Sequence, residues 1–298
     1  PSNMIAEQLK QHGYNARCRV ISNGVNDFFR PVKVKHPDWL EGKIVLLTVG
    51  RLSGEKRQDL LIEAVQYSKY RDRIQVIFAG QGPKEKKYRK LSRNLENQPI
   101  FRFFSQDELL RMYNMCDLYI HASDAEIEGI SCIEAMACGA VPVISDSELS
   151  ATKSFALHPN CLFRAGDAKS LAEKIDYWIE HPEERSRMSR IYAEKAENMR
   201  VSKCVTEMEN FYKEVIEDFN RNGYKQPEKT RLCRLMHPDT DAVNAAYSAR
   251  TPVKKALFYV FTNLLALIIY IIDTLCFGLV IKGKDKLRNV KGGAVTVM

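Results

Sequence analysis

The sequence predicts an α/β domain built on a doubly wound parallel sheet. Three observations carry this. Between residues 1 and 165, short apolar runs alternate with helix-like stretches. The clearest runs, Val45-Leu46-Leu47-Thr48-Val49 and Val76-Ile77-Phe78-Ala79, are continuous rather than alternating. Strands apolar on both faces belong in a parallel sheet covered by helices on either side. Strand and helix patterns also repeat at the spacing that β-α-β crossovers need. An α+β arrangement is the alternative.

In chain order, strands are expected at Arg17–Ile21, Lys43–Val49, Arg73–Ala79, Ile100–Phe104, Asp117–His121, Ala140–Ile144 and Cys161–Phe163. Helices are expected at Gln58–Lys69, Lys84–Asn94, Gln106–Met115 and Cys132–Ala137. In the first of these, Leu60, Leu61, Ala64 and Val65 fall on one stripe. From 166 to 220 the pattern is helical. Asp167 is placed to cap Ala168–Glu180, Pro182 to open the next helix and Ser202 to cap Lys203–Phe219.

The 298 residues are 45% hydrophobic and 28% charged. These globular proportions exclude a disordered, collagen-like or wholly membrane-embedded chain. Eight cysteines without a Cys-x-x-Cys predict neither a disulfide scaffold nor a zinc site, and suit a reducing, cytoplasmic setting. Residues 221–298 carry 13 Lys and Arg against five Asp and Glu, so the entire net charge of +8 falls there. No basic stripe interleaved with aromatics appears, which argues against nucleic acid.

Residues 221–253 read as a basic linker and 254–298 as a separate segment. In the latter, Ala256–Ile281 carries a single charge, Asp273, between Lys254-Lys255 and Lys282…Lys284. This is close to bilayer-spanning length, so a span, an interfacial helix and a buried core helix all stay open. Cations flanking it suit a membrane surface through residues 254–284. The chain begins Pro1-Ser2-Asn3 and ends in the strand-like run Ala294–Val297, so it is expected to be a piece of a longer protein.

Three motifs lie at the carboxyl ends of expected strands, where open α/β sheets bind ligands. Gly50-Arg51-Leu52-Ser53-Gly54-Glu55-Lys56 joins a strand to a helix and offers free amides and two cations to a phosphate. Gly80-Gln81-Gly82-Pro83 allows close backbone approach or simply a tight turn. In Glu126-Ile127-Glu128-Gly129-Ile130-Ser131-Cys132-Ile133-Glu134, the amides of 129–131 face an anion at a helix start, and Glu126 and Glu134 offer acceptors to sugar hydroxyls. Solvated surface acids are the plainer reading of Glu126 and Glu128.

Together these motifs resemble the C-terminal, donor-binding half of family 4 glycosyltransferases of the GT-B fold, with its Rossmann-like sheet. The family pattern is Gly-Arg-Leu-x-x-x-Lys, Gly-x-Gly-Pro, and Glu-x7-Glu running into Glu-Ala-Met-Ala-x-Gly-x-Pro-Val. Here these read Gly50-Arg51-Leu52…Lys56, Gly80–Pro83 and Glu126…Glu134-Ala135-Met136-Ala137-Cys138-Gly139-Ala140-Val141-Pro142-Val143. Val20-Ile21-Ser22-Asn23-Gly24-Val25-Asn26 resembles the interdomain Ile-Pro-Asn-Gly-Val-Asp.

The resemblance covers residues 1–220. It implies that Arg51 and Lys56 grip the diphosphate of a UDP- or GDP-sugar, Glu126 contacts the transferred sugar and Glu134 the ribose. Gly50, Gly82, Gly129, Ile130 and Ser131 would line the donor site. It implies transfer with retention, without a metal or other cofactor. One departure stands out: Glu126-Ile127-Glu128-Gly129 replaces the usual Glu-Gly-Phe-Gly, so Glu128 competes with Glu126 for its role.

An acceptor domain is expected on the N-terminal side, with Ser2–His12 resembling its final helix, and the piece alone is expected to be inactive. Residues 278–298 resemble the opening of a glycerophospholipid acyltransferase domain, which would make the acceptor a membrane lipid and place the protein at the cytoplasmic face, peripheral or integral. Two other readings remain: a nucleotide-sugar 2-epimerase of the same fold, and a non-catalytic, membrane-anchored sugar-nucleotide-binding module.

Overall fold

The computed structural model describes residues 2–14 and 18–223. The basic linker and the 254–298 segment, with their membrane and acyltransferase readings, lie outside the described residues. Among the described residues, no helix is long and apolar enough to cross a membrane.

The domain is a six-stranded, all-parallel sheet. Its strands are β1 (Ile44–Val49), β2 (Ile74–Ala79), β3 (Ile100–Arg102), β4 (Leu118–His121), β6 (Pro142–Ser145) and β8 (Leu162–Phe163) in the order β3-β2-β1-β4-β6-β8. A two-residue pair, β5 (Ala125–Glu126) with β7 (Leu149–Ser150), lies beside it. β2, β4 and β6 are buried at every position, as continuous apolar runs require.

The helices are α1 (Asn3–Gln11), α2 (Gln58–Tyr67), α3 (Glu85–Leu91), α4 (Gln106–Met115), α5 (Ile130–Ala137), α6 (Ala168–Glu180), α7 (Pro182–Glu197) and α8 (Val201–Asn222). α2 packs on α3 and α6, while α5 packs on α4 and α7. The expected α2 stripe is the buried one, joined by Ile62. The Asp167 carboxylate accepts from the Ser170 amide at 3.0 Å, capping α6 as expected.

Three expectations are corrected. The described part of 17–21 is not a strand: its apolar residues precede a single parallel bridge between Val25 and Arg200. That bridge moves the start of α8 to Val201, so Ser202 is its second residue rather than its cap. The Val201 amide donates to Val25 O at 3.0 Å, and the Arg200 guanidinium donates to Phe29 O at 2.7 Å. Third, β3 ends at Arg102, which leaves Phe103 beyond the strand and 68% exposed.

The chain lays β1, β2 and β3 outward in one direction, then returns to place β4 on the other side of β1. The crevice at the carboxyl ends of β1 and β4 is therefore the topological switch point where such sheets bind ligands.

Candidate functional site

The loop leaving β1 is fixed by its own backbone. The Leu52 amide donates to Gln81 O at 3.0 Å, and Leu52 O accepts from the Lys84 amide at 3.0 Å. The Gln58 side chain donates to Arg51 O at 2.9 Å, and the Tyr88 hydroxyl to Ser53 O at 2.9 Å. Gly82 belongs to this joint: a Cβ there would meet Leu52 O at 2.4 Å. Its side-chain direction thus faces the neighbouring loop, and its absence lets the two loops touch. Arg51 stands exposed, without an ion pair or side-chain hydrogen bond to any described residue.

A single 3₁₀ turn, Gly54–Lys56, follows. It is clamped onto the segment after β4. The Asp124 amide donates to Glu55 O at 2.8 Å, and Arg57 Nη1 donates to Asp124 Oδ2 at 2.9 Å. The clamp puts Lys56 Nζ in an ion pair with Glu126 Oε2. Glu126 lies in β5, not in an open loop, and its Cγ is 3.4 Å from where a Gly129 Cβ would be. Lys56, Glu126 and the first turn of α5 therefore converge.

Burial works to raise the Glu126 carboxyl. In acid, a protonated His121 ring and the Lys56 ammonium outweigh it and hold that group at about 2. Glu126 is an anion at neutral pH, and in this state its charge is compensated by Lys56.

α5 opens at Gly129, which caps the helix in the left-handed region at φ 75°. A Cβ there would sit 2.2 Å from Thr152 Cγ2, whose residue is fully buried. The Ile130 and Ser131 amides find no acceptor among the described residues, while the Cys132 amide already turns back to Gly129 O at 2.9 Å. Two free amides at a helix start form an anion cradle. Gly129→Ala is expected to lose about 2 kcal/mol or more from left-handed strain and the Thr152 clash. Thermal unfolding should show a Tm lower by about 4–8 °C; an unchanged Tm would refute this account of the helix start.

Glu134 lies further along α5, partly buried. Burial raises its carboxyl, opposed by the Tyr113 hydroxyl, which donates to Oε2 at 2.9 Å. One Oε therefore remains to accept from a ligand.

Glu128 takes a separate place. It is 6% exposed and turned inward, away from Lys56. Its Oε1 accepts from Ser22 Oγ at 2.5 Å and the Asn23 amide at 2.7 Å, and its Oε2 from Asn23 Nδ2 at 2.6 Å. Both its oxygens serve Ser22 and Asn23. The two acids thus occupy different places: Glu126 pairs with Lys56, and Glu128 ties the chain at residues 22–23.

Two features escaped the sequence reading. A cleft of about 370 Å³ lies at the ends of β1 and β2 and is lined by Gly50, Arg51, Gly80, Gln81, Phe103 and Leu109, among others. Its exposed Phe103 ring offers a stacking face. His121, the last residue of β4, is 3% exposed, and its Nε2 lies 3.5 Å from Glu126 Oε2. A shorter strand would have left Phe103 beyond its end; nothing local marks His121. A larger cavity of about 460 Å³, between α1, residues 150–155 and the start of α8, touches neither Arg51 nor Lys56. Of the candidate residues, only Gly50 and Arg51 line the smaller cleft; Lys56, Glu126 and the start of α5 lie outside its lining. Among the described residues there is no cluster of side chains suited to a metal ion.

The switch point of the sheet thus sets the Lys56–Glu126 pair beside the free amides of α5, with Arg51 on the β1 loop and Glu134 further along the helix, an arrangement suited to an anionic ligand. Residues 30–195 match the family described as glycosyl transferases group 1. That is more than half of the chain, and the chain belongs to this family. It is 29% identical over 159 residues to the alpha-monoglucosyldiacylglycerol synthase of Streptococcus pneumoniae, covering 49% of this chain and 36% of that protein. The chain thus spans about a third of the length of that curated relative. Among solved structures, it is 45% identical to the catalytic domain of cholesterol-alpha-glucosyltransferase from Helicobacter pylori, with a TM-score of 0.51, covering 52% of this chain and 98% of that one. The HepE protein of Anabaena, in complex with UDP and glucose, shares the fold at 21% identity and a TM-score of 0.61, covering 72% of this chain and 62% of that one.

Proposed function

We propose that this chain is the donor-binding half of a glycosyltransferase that moves a hexose from a UDP- or GDP-sugar to a membrane lipid with retention of configuration. The observation that carries the donor site is the convergence of Lys56, Glu126 and the free Ile130 and Ser131 amides at the switch point, with Arg51 exposed on the same β1 loop as Lys56. The diphosphate sits on those amides, held by Arg51 and Lys56. As the sugar–phosphate bond breaks, negative charge grows on the leaving diphosphate, and fixed cations and amides stabilise it where it develops. No metal or other cofactor has a part in this scheme. The base stacks by Phe103, Glu134 receives the ribose hydroxyls and Glu126 a hydroxyl of the transferred sugar.

Two relatives bear names of lipid glucosylation, a diacylglycerol product and a cholesterol acceptor. They support a lipid acceptor here. So does the basic surplus of residues 221–298 around an apolar stretch, which suits attachment to the cytoplasmic face of a membrane through 254–284. The acceptor itself would be bound by a separate N-terminal domain.

Arg51→Ala with Lys56→Ala removes two charge-assisted contacts of about 1.5–3 kcal/mol each. Titration calorimetry of the chain with UDP and GDP is expected to show the favoured nucleotide bound at least 100-fold more weakly by the double variant. Unchanged affinity would end the phosphate-site reading.

A further inference from the structure

His121 is a buried imidazole at the edge of the crevice whose Nε2 has no hydrogen-bond partner among the described residues. Its tautomer follows from its neighbours. The Tyr119 hydroxyl donates its one hydrogen to Ser131 Oγ at 2.9 Å. Its oxygen, 3.4 Å from His121 Nδ1, is then an acceptor for Nδ1–H. The lone pair is left on Nε2, facing the Glu126 carboxylate at 3.5 Å. An acceptor facing an anion is tolerable only while something else compensates that anion. Here it is Lys56.

On the donor-site reading above, Lys56 cannot stay there. A diphosphate on the α5 amides draws the ammonium to itself. Glu126 would then be left partly buried without a counter-charge, a costly arrangement. The groups facing His121 are Glu126 from β5, Lys56 from the 3₁₀ turn, Tyr119 from its own strand and Ser131 from α5. Of these only Glu126 can attract a proton to the ring. Cys132, on the same turn of α5, keeps its proton because burial raises it.

We infer that His121 is a positioning residue: it takes a proton on Nε2 when the donor diphosphate captures Lys56, and the resulting N–H donates to Glu126 and holds it toward the sugar. The proton comes from solvent and returns there on release of the diphosphate product. Burial, reinforced by Lys56 despite the pull of Glu126, lowers His121 in the donor-free state, so the ring begins neutral. Removal of Lys56 and exposure of the Glu126 charge both favour the protonated form.

The test is calorimetric titration of the chain with UDP-glucose and GDP-glucose in buffers of differing ionisation enthalpy at pH 7. These sugars carry a diphosphate diester with no titration of its own near neutrality. The expected result is uptake of about 0.3–1 proton per donor bound. His121→Gln keeps a donor toward Glu126 but accepts no proton: it should bind donor with a heat independent of buffer. Glu126→Gln should also lose the uptake, which covers the case of a misfolded His121 variant. Binding without proton uptake by the wild type, or uptake unchanged in His121→Gln, overturns the role of His121 alone. If neither nucleotide sugar binds, the donor site falls and this inference with it.

Discussion

Glu126→Gln is expected to bind UDP more tightly than the wild type while losing transfer. The two effects have opposite signs because Glu126 has two partners at different stages. Without donor, its carboxylate holds Lys56 Nζ. A diphosphate must break that pair before it gains the lysine. Glutamine releases the lysine in advance, and UDP, which has no sugar to contact position 126, should bind roughly tenfold tighter, about 1.4 kcal/mol. Lys56→Ala moves UDP affinity the other way. Transfer, measured in an enzyme that includes an acceptor domain, should fall about 10²–10³-fold, the usual loss when one group stabilising the transition state is removed.

The pair also leaves a mark on acid stability. The Glu126 carboxyl is held at about 2 in the folded domain, against an ordinary 4.5. A lowered carboxyl stabilises the fold above its ordinary value and loses that contribution as pH falls from about 4.5 toward 2. Glu126→Gln should flatten acid unfolding in that window. Weaker UDP binding by Glu126→Gln, with the fold intact, would mean that Lys56 is not withheld from the donor.

The parts that could be read in advance are those with local signatures. Gly50-Arg51-Leu52 and Glu126…Glu134 each combine residue type, spacing and position after a strand, and the crevice joins them because sheet topology leaves it little choice. His121 carried no such signal. A histidine ending an apolar strand is ordinary, and its importance comes from Tyr119, Ser131 and Glu126 meeting around it. Phe103 was hidden by hydrophobic continuity, since Ile100–Phe104 reads as one strand while only three residues find ladder partners. The α8 start was misplaced because Ser202 is a good local cap, yet the Val25–Arg200 bridge, set by residues far apart in sequence, decides where the helix begins. Glu128 shows the same limit: side by side in sequence, two acids of one loop are equivalent, and only tertiary contacts separate them.

Glu128→Ala should therefore be a stability variant rather than a donor-site variant. Its removal strands the Ser22 hydroxyl, the Asn23 amide and the Asn23 side-chain NH₂, all now bonded to one buried carboxylate. Bonds to a charged acceptor are worth about 1.5–3 kcal/mol each, with part of the loss recovered by water. A net loss of about 3–5 kcal/mol follows, or a Tm lower by about 6–20 °C for a domain of this size. Glu128→Gln keeps the shape but turns an NH₂ toward a donor, so it should fall between the wild type and alanine. The damage should spread to the neighbouring clasp. Ser22 Oγ also accepts from the Gly24 amide at 3.0 Å, and the next residue, Val25, carries the bridge to α8, its amide bonded to Met199 O at 2.7 Å. Amide hydrogen exchange should therefore quicken at Val25 and Val201, while the Leu46 and Ile77 amides of the central strands stay protected. UDP affinity, measured at a temperature where the variant is folded, should stay within about threefold of the wild type, since Arg51, Lys56 and the α5 amides are untouched. A Glu128→Ala variant with normal Tm and abolished UDP binding would reverse the assignment and make Glu128, not Glu126, the carboxylate of the crevice.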